Sequence, residues 1–140
     1  MDKIQLTEKL VSWIKDRVKE AGAKGIILGV SGGIDSAVLA VLCEKAMPGK
    51  VLGLNLPCYS NPEDEAHATL LMEKFHIPLK VIVLDGMFDN FLKILPQDKQ
   101  SPAADRLAQS NLKVRLRMLT LYYHANLMNY MVVGSSNKVE

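Results

Sequence analysis

Gly25-Ile26-Ile27-Leu28-Gly29-Val30 is a short, continuously apolar run rich in branched residues, and it leads directly into Ser31-Gly32-Gly33. Such a run predicts a central parallel strand covered on both faces. From Asp35 or Ser36 the chain reads Ala37-Val38-Leu39-Ala40-Val41-Leu42-Cys43-Glu44-Lys45, a string of helix formers closed by Pro48-Gly49. Strand, glycine loop and helix follow one another without spare residues. That unit restricts the fold more than any other segment.

The rest of the chain repeats the alternation. Leu6, Leu10, Ile14 and Val18 recur every fourth residue among charged neighbours, which predicts a leading surface helix stopped near Gly22. Val51 to Leu56 is a second strand. Asn61-Pro62-Glu63-Asp64-Glu65 then combines an N-cap, a proline at the first helical position and acids on the positive end of the dipole, the clearest helix start in the chain. Leu79 to Leu84 reads as a third strand and Met87 to Leu95 as a short helix. Pro96 to Asp105 reads as a mobile loop. A long helix is expected from about Arg106 to Asn129, with Leu112, Leu116, Leu119, Tyr123 and Leu127 on one stripe, and Tyr130 to Gly134 as a fourth strand. The order predicts an α/β fold, a three-layer doubly wound parallel sheet with helices on both faces.

Composition closes off other classes. At 140 residues, 49% hydrophobic and 23% charged, the chain matches one ordinary globular domain rather than a disordered or disulfide-stapled one. Its formal charge of +2 is too small to imply nucleic acid. Cys43 and Cys58 lack Cys-x-x-Cys or metal spacing, so buried or incidental thiols in a reducing compartment are expected. No signal peptide or membrane span is visible, which makes the cytoplasm the expected location. His67, His76 and His124 are scattered without relay partners and read as structural.

The chemistry concentrates in Gly29-Val30-Ser31-Gly32-Gly33-Ile34-Asp35-Ser36. Adjacent glycines allow a tight turn that brings backbone N–H groups close to a ligand, and the following helix adds unpaired donors and partial positive charge. Ser31 and Ser36 supply hydroxyls, so the loop suits an anion such as phosphate. A Gly-Lys-Ser/Thr ending and a Gly-x-Gly-x-x-Gly fingerprint are both absent, which removes the Walker A and dinucleotide-binding classes. Asp35 would repel phosphate unless a divalent cation lay between them, with Mg²⁺ the usual partner. The plainer alternative is that Asp35 or Ser36 only caps the helix.

Ser31-Gly32-Gly33-x-Asp35-Ser36 resembles the pyrophosphate-binding loop of the N-type ATP pyrophosphatases. A second segment, Asn111-Leu112-Lys113-Val114-Arg115-Leu116-Arg117-Met118 followed by Leu121-Tyr122-Tyr123-x-Ala125-Asn126 and Val133-Gly134-Ser135-Ser136-Asn137-Lys138-x-Glu140, is similar in order and spacing to the ammonia-dependent NAD synthetases. Together the two motifs span nearly the whole chain. The resemblance implies ATP-dependent amidation of deamido-NAD with ammonia through an acyl adenylate, a C–N bond-forming ligase reaction. It implies that Gly29, Val30, Ser31, Gly32, Gly33, Ile34, Asp35, Ser36 and Ser135 bind ATP, with Asp35 and Ser36 catalytic. It further implies that Asp35 and Glu140 hold Mg²⁺, that Arg115 contacts deamido-NAD, and that the strand Val51 to Leu56 passes beside the adenine. Ser135 stands where the family usually has Thr.

By their positions alone, Arg115 and Arg117 point about 200° apart on a helix, so at most one faces a given site. The family resemblance favours Arg115 and leaves Arg117 for the surface or an interface. It also implies a homodimer formed through the long helix. Only 28 residues precede the loop, so ammonia is expected from solvent or another chain. Family members continue past the equivalent of Glu140, which implies a single domain lacking its C-terminal portion. The alternatives are another ATP pyrophosphatase, such as a GMP synthetase ATPase domain, or a nucleotide-binding fragment without turnover.

Overall fold

A computed structural model describes residues 2–96, 98 and 100–134. Its elements are α1 (Lys3–Glu20), β1 (Gly25–Gly29), α2 (Ile34–Ala46), β2 (Val51–Asn55), α3 (Pro62–Lys74), β3 (Leu79–Val81), α4 (Asp85–Ile94), α5 (Pro102–Met128) and β4 (Tyr130–Val132). Among the described residues the strands form one parallel sheet in the order β3-β2-β1-β4. Alternate residues of β1 serve opposite cores. Ile26 and Leu28 join Ile14, Val18, Ala40, Cys43, Ala68 and Met72, whereas Ile27 joins Phe88, Leu116, Leu121 and Ala125. Helices α1, α2 and α3 therefore cover one face and α4 and α5 the other, the expected three-layer arrangement. Strand order reverses beside β1, so the carboxyl ends of the central strands open onto the crevice where such folds take ligands.

The helix starts follow their capping chemistry. Asn61 accepts the Glu63 N–H at 3.0 Å with Pro62 in the first turn of α3, as the local sequence indicates. Ser101 does the same for α5 by accepting the Ala104 N–H at 3.1 Å, with Pro102 following. The second half of the expected loop Pro96 to Asp105 is thus the first turn of α5, while Gln97 and Lys99 lie outside the described residues. Helix α2 begins at Ile34 with Gly33 as its N-cap, and α4 begins at Asp85, before Met87.

Two apolar stripes have a different phase from the one their spacing suggests. A strict four-residue repeat drifts by about 40° per step on a helix of 3.6 residues per turn. Leu6 and Leu10 consequently remain exposed, and α1 packs through Val11, Ile14 and Val18. On α5 the inward face carries Leu112, Leu116, Leu121 and Ala125, while Leu119, Tyr123 and Leu127 face outward. β3 ends at Val81 instead of Leu84, although Ile82 and Leu84 still donate to the Asn55 and Pro57 carbonyls at 2.9 and 2.7 Å. Pro57 has no N–H to return, so the regular ladder cannot continue past β2. β4 ends at Val132, and the Val133 N–H extends its contact to the Ile27 carbonyl at 3.0 Å.

Candidate nucleotide-binding site

The loop after β1 is shaped by backbone sterics. Gly32 has φ +92°, and a Cβ there would lie 2.5 Å from the Asp64 carbonyl oxygen at the start of α3. Only glycine fits both the conformation and that approach. Gly33 has an ordinary φ of −84° and caps α2 without a side-chain hydrogen bond. Neither Asp35 nor Ser36 is therefore the N-cap.

Ser36 instead organises the loop from inside. Its Oγ accepts the Ser31 N–H at 3.2 Å, lies 3.2 Å from the Gly33 carbonyl that it can donate to, and stands 3.3 Å from Ser31 Oγ. Ser31 Oγ also accepts the Gly33 N–H at 3.4 Å. The two hydroxyls thus form one short network across the turn, with Ser36 buried and Ser31 exposed. The first-turn N–H groups of α2 beside it have no intrahelical acceptor by the geometry of a helix start.

This network borders a cavity of about 380 Å³ at the carboxyl ends of β1 and β2, a volume within the range of small-molecule sites. Gly29, Val30, Ser31 and Ser36 line it from the loop, Leu54 to Pro57 from β2 and its exit, and Ser60 to Glu65 contribute Ser60, Asn61, Asp64 and Glu65. Arg117 and Leu121 of α5 close it from the other face. Arg117 Nε donates to the Leu56 carbonyl at 2.9 Å and a terminal nitrogen donates to Ser60 Oγ at 3.4 Å. A guanidinium has five N–H donors, so these bonds leave it capable of meeting an anion as well.

The octet divides between two surfaces. Gly29, Val30, Ser31 and Ser36 line the cavity, whereas Gly32, Gly33 and Ile34 line an apolar groove against α1 and α3. Asp35 is exposed in the first turn of α2, lines neither, and has no ion-pair partner among the described residues. Arg115 is exposed and does not border the cavity; Arg117 does. Ser135 and Glu140 lie outside the described residues. Among the described residues no group of three His, Cys, Asp or Glu side chains is gathered as a metal centre.

The loop leaving β2 is anchored on its outer side. The Tyr59 N–H donates to Asp85 at 2.7 Å and its hydroxyl donates to Asp89, with the ring edge-on to Phe88. Lys113 Nζ lies 5.4 Å from the centre of the Phe88 ring. The Asp89 hydrogen bond holds the Tyr59 hydroxyl in its protonated form and pushes its pKa up to about 12. Burial pushes the Cys58 thiol up, while Arg117 and Lys113 pull in the opposite direction. Tyr59 adopts φ +53°, a conformation that these contacts offset.

Asn55, Ser60, Asn61, Asp64, Glu65 and Arg117 are polar cavity residues whose side chains linear reading gives no ligand role. A polar Asn closing the apolar run Val51-Leu52-Gly53-Leu54 is the available signal for the first. The acids of α3 are legible as dipole partners but not as cavity walls, because their closeness to Gly32 is a contact between distant segments.

Comparison with known proteins bears on the whole surface. A family model described as NAD synthase matches residues 6–140. An NH(3)-dependent NAD(+) synthetase of Carboxydothermus hydrogenoformans is 43% identical over 134 residues, covering 96% of this chain and 55% of the relative. The solved NH3-dependent NAD synthetase from Campylobacter jejuni, in complex with the nitrate ion, is similar with a TM-score of 0.86 and 34% identity, over 99% of this chain and 58% of that one. The NMN synthetase from Francisella tularensis gives a TM-score of 0.87 and 32% identity, over 98% and 56%. The chain spans about half the length of the curated relatives it matches.

Proposed function

We propose, from the premise that the chain belongs to the NAD synthase family, that it provides the ATP-handling site of an enzyme joining deamido-NAD and ammonia into NAD. In this reading an oxygen of the nicotinate carboxylate bonds to the α-phosphorus as the bond to the β-phosphate's bridging oxygen breaks, releasing pyrophosphate. Ammonia nitrogen then bonds to the acyl carbon, the bond to AMP breaks, and the surplus proton leaves to solvent.

The observation that carries the reading is the shared cavity: the hydroxyl network of Ser31 and Ser36 borders the same space as Arg117. Phosphoryl chemistry of this kind asks for positioning and charge neutralisation rather than a protein nucleophile. Ser31 and Ser36 hold the departing pyrophosphate from the loop side of the cavity, the unpaired first-turn N–H groups of α2 behind them add partial positive charge, and the spare donors of Arg117 neutralise negative charge opposite them. Leu54, Leu56 and Leu121 supply apolar walls for the base. Arg115 contacts deamido-NAD, and Ser135 contacts ATP.

The residues fit a divalent ion in donor chemistry: Asp35 offers an exposed carboxylate next to the loop, unpaired among the described residues, and Mg²⁺ typically takes one or two carboxylates together with substrate phosphates. Asp35 and Glu140 would hold it, and when bound it neutralises phosphate charge. The single domain, extended by a C-terminal portion, works in the cytoplasm as a homodimer. Support for the dimer comes from α5, whose outward face exposes Leu119, Tyr122, Tyr123 and Leu127 together. No described helix is long and apolar enough to cross a membrane.

The test is product analysis by mass spectrometry after incubation with ATP, Mg²⁺, ammonium and deamido-NAD, with nicotinate mononucleotide and xanthosine monophosphate in parallel tubes. NAD with matching AMP supports the reading. Amidation of the mononucleotide or xanthosine monophosphate alone reassigns the substrate, and ATP binding without AMP in any tube reduces the chain to a nucleotide-binding module.

A further inference from the structure

Asn55 closes β2 with a polar side chain where the strand is otherwise apolar. The register that pairs Gly29 with Leu54 brings it level with Val30, the residue that enters the glycine loop. Asn55 Nδ2 donates to the Val30 carbonyl at 2.7 Å. A carbonyl can only accept, so this bond decides which end of the amide is which and leaves Oδ1 as the other end. Asn55 is 5% exposed and borders the cavity, yet Oδ1 is buried with no hydrogen-bond partner among the described residues. An acceptor removed from water and left unpaired is destabilising, and an apolar residue in its place would not carry that penalty.

We propose that Asn55 Oδ1 is completed by the nucleotide, making Asn55 a residue that selects the nucleoside. The inference rests on the ATP reading above. ATP presents donors at three places: the adenine 6-amino group and the two ribose hydroxyls. Its phosphate oxygens are acceptors and repel a carbonyl oxygen. Oδ1 therefore accepts from one nucleoside donor, while Nδ2 stays on Val30 and ties that recognition to the base of the phosphate loop. A nucleotide without that donor leaves the acceptor buried and unpaired in the complex, which is the source of the discrimination.

Calorimetric titration of the 140-residue chain with Mg²⁺ and ATP, purine riboside triphosphate, 2′-deoxy-ATP or 3′-deoxy-ATP tests this directly, alongside Asn55→Leu. One analogue, the one lacking the donor in use, should bind the native chain about 10-fold or more weaker than ATP. Asn55→Leu should bring that ratio close to one, with circular dichroism to establish that the variant is folded. If the native chain binds all four nucleotides within about twofold, or if folded Asn55→Leu keeps the native ratio, the proposal is overturned while the ATP reading stands. Equal binding of all four nucleotides by the native chain overturns the proposal even if the variant does not fold. Absence of binding by any nucleotide overturns the ATP reading and this inference with it.

Discussion

Replacing Gly32 by Ala adds a single methyl group, and the structure says what it would meet. The backbone there has φ +92°, and an L side chain in the left-handed region costs roughly 1–2 kcal/mol. The new Cβ would stand 2.5 Å from the Asp64 carbonyl oxygen, a backbone atom held by the first turn of α3. Relief requires the loop and helix to separate by several tenths of an ångström, an overpacking penalty of about 1–3 kcal/mol. The sum is about 3 kcal/mol. With a urea dependence of about 2 kcal/mol/M, the midpoint should fall by roughly 1.5 M.

Gly33→Ala is the matched control, because Gly33 has φ −84° and its added Cβ would find Ser31 Oγ at 3.5 Å, an ordinary contact. Its main penalty is that Ala caps a helix less well than Gly, about 0.5–1 kcal/mol, or a midpoint change below about 0.5 M. Calorimetry on the same proteins should show a larger loss of ATP affinity for Gly32→Ala, since Asp64 and Ser31 border the same cavity. Equal urea midpoints for the two variants would refute the argument from backbone conformation and close approach.

Asp35→Asn should sharply lower Mg²⁺-dependent turnover in the full-length protein while changing stability by less than about 1 kcal/mol, the scale of a first-turn dipole interaction; unaltered turnover removes the metal role. Arg117→Ala should weaken ATP binding, because it removes both a cavity charge and the bond to Leu56, whereas Arg115→Ala should weaken deamido-NAD and spare ATP. Separate titrations with each ligand distinguish the two arginines. Tyr59 has a folded pKa raised from its ordinary value of 10 to about 12. Its hydroxyl bond therefore contributes in full below pH 10 and is lost as pH rises through 12. The urea stability difference between the native chain and Tyr59→Phe should shrink across that window, and the tyrosine absorbance change near pH 12 should vanish in the variant. Leu119→Glu should convert a dimer to monomer by light scattering without lowering the urea midpoint; a dimer that persists excludes this part of α5 as the interface.

The order of strands and helices and the tight glycine turn between β1 and α2 were legible locally. Continuous branched apolar residues specify buried strands, Asn61-Pro62 carries its own capping geometry, and adjacent glycines before a helix permit the tight turn. Ser101-Pro102 carries the same signal as Asn61-Pro62, and it marks the start of α5 four residues before Arg106, where the apolar pattern places it. These are short-range properties, dictated by backbone dihedrals and by bonds between residues a few positions apart.

Tertiary packing decided the phase of each helix and the walls of the cavity. With 100° between successive residues, α5 could present Arg115 or Arg117; burial of Leu116, Leu121 and Ala125 against the sheet turns Arg117 to the Leu56 carbonyl and leaves Arg115 exposed. The same selection leaves Leu119, Tyr123 and Leu127 outside. Asn55 becomes a candidate only when β2 lies beside β1 and the Val30 carbonyl takes its amide. Residues 25 positions apart met through the parallel register, so the bond, and the unpaired oxygen it leaves, are properties of the folded sheet.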